Sequence, residues 1–139
     1  MCEQDVFEIA LAPNTVVGTD GLVRSMTEKG HPRAFATFPH AINYFVKEHH
    51  IMSLEEMIRR MTSMPAQRFH LPTKGVLANG MDADILVIDY DRFVDRATYT
   101  NSNALTEGLR YVIVNGEVVL KDQALTGAVP GKFIPHTQQ

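Results

Sequence analysis

The run Thr15-Val16-Val17-Gly18-Thr19, closed by Asp20, constrains this chain more than any other feature. It is rich in β-branched residues and lacks a polar/apolar alternation, the pattern of a strand covered on both faces, which belongs in a parallel sheet. Every backbone donor and acceptor in such a strand needs a partner, yet nothing else in the first seventy or so residues reads as a strand. Two solutions remain open. Either the run joins strands from the C-terminal half in one sheet, or the chain is the tail of a larger protein whose other strands lie elsewhere. With 139 residues, 45% of them hydrophobic, the chain is long enough to bury a core without disulfides or a structural metal.

The surrounding pattern is helical first and β later. Residues 3–11 read as an amphipathic helix with Val6, Phe7 and Ala10 on one stripe, cut by Pro13 and Asn14. Residues 20–38 carry Gly21, Gly30 and Pro32 without a sustained period. They are expected to be loop, and a loop of that length is usually functional; an irregular helical turn over 22–29 is the alternative. Residues 39–50 return to helix, with Pro39 at the first helical position and Ile42, Phe45 and Val46 inward. Ser53 and Glu56 form a capping-box signature, followed by the stripe Leu54, Met57, Ile58 and Met61. Pro65 can open a short helix through Arg68. Beyond Leu71 the pattern turns to β: a buried strand over 83–89, then Tyr111-Val112-Ile113-Val114, Asn115-Gly116 and Glu117-Val118-Val119-Leu120, a hairpin signal because Asn-Gly accepts the positive φ of a type I′ turn. Residues 90–110 read as a polar excursion with at most a brief strand near 97–99, and residues 136–139 as a frayed end.

Several functions are disfavoured. A net charge of −3 without a Lys/Arg stripe gives no footprint for nucleic acid. No apolar run approaches the ~20 residues that span a bilayer. The single cysteine, Cys2, lies in an acidic stretch unlike a secretory leader, so a reducing, cytoplasmic setting is expected. No P-loop, dinucleotide fingerprint or nucleophile elbow is present, and Ser25, Thr19 and Cys2 have no base at a recognisable spacing.

Asp20 is the first candidate for chemistry. It lies just past the C-terminal end of a parallel-type strand, the edge where catalytic groups gather in α/β architectures, and could serve as general base or metal ligand. The plain alternative is that Asp20-Gly21 is only a turn. The six histidines contain no His-x-His pair and no i, i+4 helical pair suited to one ion. His49-His50 reads as a helix end, and His40 and His70 as surface or satisfied residues. His31-Pro32-Arg33 lies in the loop that Asp20 opens, where Arg33 could hold a substrate carboxylate through its bidentate fork or be an exposed loop arginine. Met57, Met61 and Met64 read as core filling.

Taken in order, Val17-Gly18-Thr19-Asp20-Gly21, His31-Pro32-Arg33 with Thr37-Phe38-Pro39, Ser53-Leu54-Glu55-Glu56 with Met61-Thr62-Ser63-Met64-Pro65-Ala66, Gly80 with the 83–89 strand, and the Asn115-Gly116 hairpin through Pro130-Gly131 resemble the C-terminal part of the amidohydrolase superfamily. The strand and hairpin specify only the superfamily. The His-Pro-Arg to Phe-Pro segment is most similar to the N-acyl-D-amino-acid deacylases, and the resemblance covers nearly the whole chain.

The resemblance implies an α/β fold: the C-terminal fragment of a β/α barrel (last helix, last strand and closing helices) over residues 1–70, and the C-terminal part of a small β-sandwich over residues 71–139. It implies that Asp20 works beside zinc, which polarises the acyl carbonyl, and that Asp20 takes a proton from water and passes it to the leaving amine. His31 and Arg33 would border the pocket for a small-molecule N-acyl amino acid, Arg33 contacting its carboxylate. The family's zinc ligands come from upstream strands, so this chain alone is expected to hold no metal and to be inactive. Two alternatives stand beside this reading. One is a dihydroorotase-like or hydantoinase-like cyclic amidase; the other is a non-catalytic module that self-associates through exposed strand edges.

Overall fold

Helices and a four-stranded antiparallel sheet share one apolar core in the computed structural model, which describes residues 2–22 and 29–135. Most of the turn expected over 22–29, together with Ser25, Met1 and His136, lies outside the described residues. Helix α1 spans Glu3–Leu11 and leans its Val6, Phe7 and Ala10 stripe inward without fully burying any residue. Phe7 meets Tyr44, Phe45 and His49 in tilted or edge-on ring contacts, the geometries that aromatic quadrupoles prefer.

The expected strand over 15–19 is extended but belongs to no sheet. Its described backbone links include Thr15 N–H donating to the Ala12 carbonyl at 3.2 Å and Val17 N–H donating to the Arg60 carbonyl at 3.5 Å, and Val17 rests on the core. Of the two solutions posed by the sequence, membership in a common sheet with the C-terminal strands is thereby excluded.

Helix α2 spans Arg33–Ala41, so the loop expected over 20–38 ends six residues early and Pro39 sits inside the helix. The sequence placed Pro39 at a helix start because an interior proline removes an N–H and crowds the preceding turn. The missing N–H is the one that would have met the Phe35 carbonyl; the start of α2 is braced separately. His31 Nδ1 accepts the Arg33 N–H and Thr37 Oγ1 donates back to the Arg33 carbonyl. Three residues after Pro39 the helix widens into a π-helix over Ile42–Glu48, so residues 39–50 are not one α-helix.

Ile42 and Val46 of the π-helix join Ala41, Met52, Met57 and Phe93 in the core. Helix α3, Leu54–Met61, starts at Ser53, whose Oγ accepts the Glu56 N–H at 3.2 Å. Only this half of the expected capping box forms, because the Glu56 carboxylate is taken by Arg59 and Arg60. Ile58, expected inward, is exposed. Helix α4 spans Ser63–Arg68 and ends in His70 at φ +55. His70 N–H bonds to the Gln67 carbonyl and Leu71 N–H to the Ala66 carbonyl, a Schellman closure with histidine where glycine is usual.

The sheet runs β1 (Ile85–Ile88), β2 (Leu109–Val114), β3 (Glu117–Lys121) and β4 (Ala124–Leu125), paired in that order. The Asn115-Gly116 turn has φ +48 and +82, as a type I′ hairpin requires. Asp84 Oδ1 accepts the Asn115 N–H at 2.8 Å, while Lys74 bonds Asp84 and lies 3.0 Å from Asp82. These bonds hold the Asp84 carboxyl below its usual range, Lys74 first and the Asn115 amide second. A second tight turn at Asp122-Gln123, φ +44 and +70, leads into β4 and had no signal as clear as Asn-Gly.

The strand expected to be buried over 83–89 is instead an edge strand whose Leu86 and Val87 face outward. The apolar run signalled two covered faces, but Leu86 and Val87 point to opposite faces and both are exposed, so the described residues cover each face only in part. No strand forms at 97–99; the excursion is pinned by a single bridge between Val94 and Glu107. The same excursion supplies the buried Phe93, seated against Gly108, where φ is +80 and a Cβ would fall 2.7 Å from the Phe93 nitrogen.

Candidate functional site

The extended segment after α1 delivers Asp20 into a left-handed conformation, φ +46, rare for a residue with a side chain. The following residue explains the bend. Gly21 N–H donates to Thr19 Oγ1 at 3.1 Å, and a Cβ on Gly21 would stand 2.8 Å from Ala34 Cα. The Asp20-Gly21 turn thus presses against the first turn of α2. There Arg33 places a guanidinium nitrogen 3.1 Å from Asp20 Oδ2. The structure shows Asp20-Gly21 as a turn whose carboxylate is paired with Arg33.

His31 completes the group. Its Nδ1 accepts the Arg33 N–H at 3.1 Å, and its Nε2 lies 3.2 Å from Tyr99 Oη with the rings edge-on. All three expected site residues therefore meet, with Asp20 88% exposed and Arg33 half-exposed. A mostly apolar open cleft of about 980 Å³ lies beside His31 and Arg33, and Asp20 is not among the residues that line it. His31, Arg33 and Tyr99 form part of its wall, and Val16, Val17 and Met57 part of its floor.

Chemically, a solvated carboxylate beside a guanidinium can exchange protons with water, and the guanidinium retains donors for an anionic ligand. A zinc centre asks for more: three protein ligands and an open position. Among the described residues no group of three His, Cys, Asp or Glu could hold a metal, so those residues do not by themselves fit one.

Several structural residues at the site escaped sequence reasoning. Arg60 reads as a helix-end charge, but it is 6% exposed and reaches across to α1. Its guanidinium donates to the carbonyls of Ala10, Leu11 and Ala12, and its Nε to Glu56 at 2.7 Å. Lys47 donates to the carbonyls of Tyr90 and Phe93, with its ammonium 4.5 Å from the Tyr90 ring centroid. His40 Nδ1 lies 2.9 Å from Asp95, which also accepts from Asn43, so His40 is a satisfied residue as expected. The i, i+4 spacing of Glu56 and Arg60 was the one available signal; contacts some fifty residues apart leave none.

The chain and its fold match a known class. A model described as Amidohydrolase family matches residues 5–120, and the chain belongs to that family. Among its relatives, D-aminoacylase of Alcaligenes xylosoxydans xylosoxydans is 34% identical over 99% of this chain, and an N-acyl-D-aspartate deacylase from the same source is 35% identical over all of it. A dihydroorotase of Methanothermobacter thermautotrophicus is 38% identical over 60% of the chain.

A crystal structure of D-aminoacylase superposes with a TM-score of 0.85 over 92% of this chain. An N-acyl-D-glutamate deacylase from Bordetella bronchiseptica, complexed with zinc and a phosphonate inhibitor, gives 0.79 over 86% at 37% identity. The chain spans 27–29% of the length of the D-aminoacylase and the N-acyl-D-aspartate deacylase.

Proposed function

We propose that this chain is the C-terminal region of an N-acyl-D-amino-acid deacylase, a cytoplasmic hydrolase that cleaves the amide C–N bond of small N-acyl-D-amino acids. In this reading residues 1–70 belong to a β/α barrel, with 15–19 as its last strand, and residues 71–139 to a small β-sandwich. The observation that carries it is the placement of Asp20. The carboxylate emerges from an extended apolar segment, held by Arg33, in a chain similar along nearly its full length to D-aminoacylase. The dihydroorotase likeness covers a smaller part of the chain, which favours the open-chain substrate over the cyclic one.

In the reaction, water attacks the acyl carbonyl carbon and Asp20 accepts its proton. The C–N bond then breaks as Asp20 returns that proton to the amine nitrogen, leaving a carboxylic acid and a free D-amino acid. Arg33 would take the substrate carboxylate through donors not used by Asp20, with His31 holding the helix start beneath it. Zinc is proposed for the intact protein, with ligands other than the residues described here.

The test is Asp20→Asn in an intact protein containing this segment. Turnover of N-acetyl-D-amino acids should fall by about 10²-fold or more, as expected for loss of a general acid–base, with the thermal transition unchanged. Near-normal turnover would remove Asp20 from the mechanism, and failure of the wild-type protein on every N-acyl-D-amino acid would reject the substrate class. A second reading, self-association, is favoured by the exposed Leu86 on edge strand β1 and by exposed Leu125 and Phe133. Light scattering of this chain decides it: a dimer or larger species supports it and a clean monomer removes it.

A further inference from the structure

The polar excursion between β1 and β2 would be an unlikely place to look for catalytic support, yet it touches the Asp20 group at two points. Ser102, 2% exposed, accepts the Gly30 N–H on its Oγ at 3.0 Å and donates onward to Asn103 Oδ1. Three residues earlier, Tyr99 places its hydroxyl 3.2 Å from His31 Nε2. Its own turn is self-braced: Thr98 N–H bonds to the Asn101 carbonyl, and Asn101 N–H to Thr98 Oγ1. Tyr99 is 78% exposed, so a core-packing role does not account for its placement.

We propose that Tyr99 is a positioning residue for the Asp20–Arg33 pair, acting through His31. The hydrogen-bond logic is directional. A backbone N–H can only donate, so His31 Nδ1, facing the Arg33 N–H, must carry the lone pair. The proton of the neutral ring therefore sits on Nε2 and is donated to the Tyr99 oxygen. By accepting that proton, Tyr99 supports the tautomer that the Arg33 N–H at the start of α2 requires. The Arg33 guanidinium in turn lies 3.1 Å from the Asp20 carboxylate. The relay runs from a segment some seventy residues downstream to the carboxylate, and Ser102 fixes the near end of the loop that carries it.

This inference rests on the proposed acid–base role of Asp20, and its test separates the two. Tyr99→Phe keeps the ring and deletes the hydroxyl; it is preferred to Ser102→Ala, which would remove a fully buried hydroxyl that both accepts and donates and could unfold the protein. In this chain, long-range ¹⁵N–¹H spectra should show His31 as the Nε2–H tautomer, and Tyr99→Phe should weaken that preference. A wild-type Nδ1–H tautomer overturns the proposal.

In the intact deacylase, Tyr99→Phe should lower kcat/KM by about five- to tenfold, the scale of one lost positioning hydrogen bond. Its thermal midpoint should stay within about 2 °C. In an Arg33→Lys background the same substitution should have little further effect, because the relay is already broken. If Asp20→Asn abolishes turnover while Tyr99→Phe changes neither kcat nor KM, the relay is wrong and the functional reading survives. If Asp20→Asn is active, the functional reading itself has failed.

Discussion

Replacing Arg60 with methionine separates a buried structural arginine from its exposed neighbour. Arg60 and Arg59 both bond the Glu56 carboxylate, and on a helical wheel they look equivalent. Only Arg60 leaves α3 to cap α1. Thr15 N–H also reaches the Ala12 carbonyl at 3.2 Å, so that oxygen keeps a partner when Arg60 is lost. The Ala10 and Leu11 carbonyls are left to water or to nothing.

Charge-assisted hydrogen bonds contribute about 1.5–3 kcal/mol each and a stranded buried carbonyl costs roughly 1–3 kcal/mol, the lower figures applying where water can enter. Methionine recovers part of the packing of the arginine stem. The net expectation for Arg60→Met is a loss of about 2–4 kcal/mol. For a chain of this length that lowers the midpoint by roughly 5–15 °C.

Arg59→Met, which removes an i, i+3 surface pair, should stay within about 0.5 kcal/mol of wild type. Urea unfolding of both variants, followed by circular dichroism, measures the contrast. Equal losses for the two, or a loss below about 0.5 kcal/mol for Arg60→Met, would refute the claim that Arg60 fastens α1 and the segment leading to Asp20.

Acid should weaken the fold through Glu56. Hydrogen bonds from Arg59, and then Arg60, lower its pKa from 4.5 to about 2. A folded-state pKa below the unfolded value means a contribution fully present above about 4.5 and lost as pH falls towards 2. Glu56→Gln should therefore flatten the dependence of Tm on pH between 5 and about 2; superimposable slopes would contradict this. Gly108→Ala should destabilise by roughly 2–5 kcal/mol, combining a disfavoured positive φ with displacement of the chain that seats Phe93. A loss below about 1 kcal/mol in chemical denaturation would show that the contact is not binding.

Local chemistry made part of this molecule readable. Asn115-Gly116 demands positive φ at two successive positions, Ser53 supplies an oxygen to the start of α3, and the Val6, Phe7, Ala10 stripe repeats at helical spacing. Each is decided within a few residues, where propensity and side-chain chemistry dominate. Arg33–Ala41 was obscured for the opposite reason. A proline reads as a helix start or stop, and nothing local announces a helix that runs through Pro39 and widens to π pitch three residues later.

Phe93 and Ser102 were hidden in a polar stretch because they pack against partners far away in sequence, Ala41 to Met57 for Phe93 and Gly30 for Ser102. Asp20 was legible as a candidate because a strand end is a local feature; the company it keeps was not.

The same distinction explains why Asp20 is held so indirectly. A carboxylate that is 88% exposed gains little from a single ion pair, because water screens the attraction. Its position must then come from the backbone beneath it. Three constraints converge there: the left-handed φ of Asp20, the contact of Gly21 with Ala34, and the seating of Arg33 by His31. Two of them act on the first turn of α2, and the core that fixes α2 through Ala41 also contains Phe93 from beyond β1. Displacing the excursion at residues 93–102 should therefore move the acid without touching it, whereas cutting the Asp20–Arg33 pair alone should leave the turn in place.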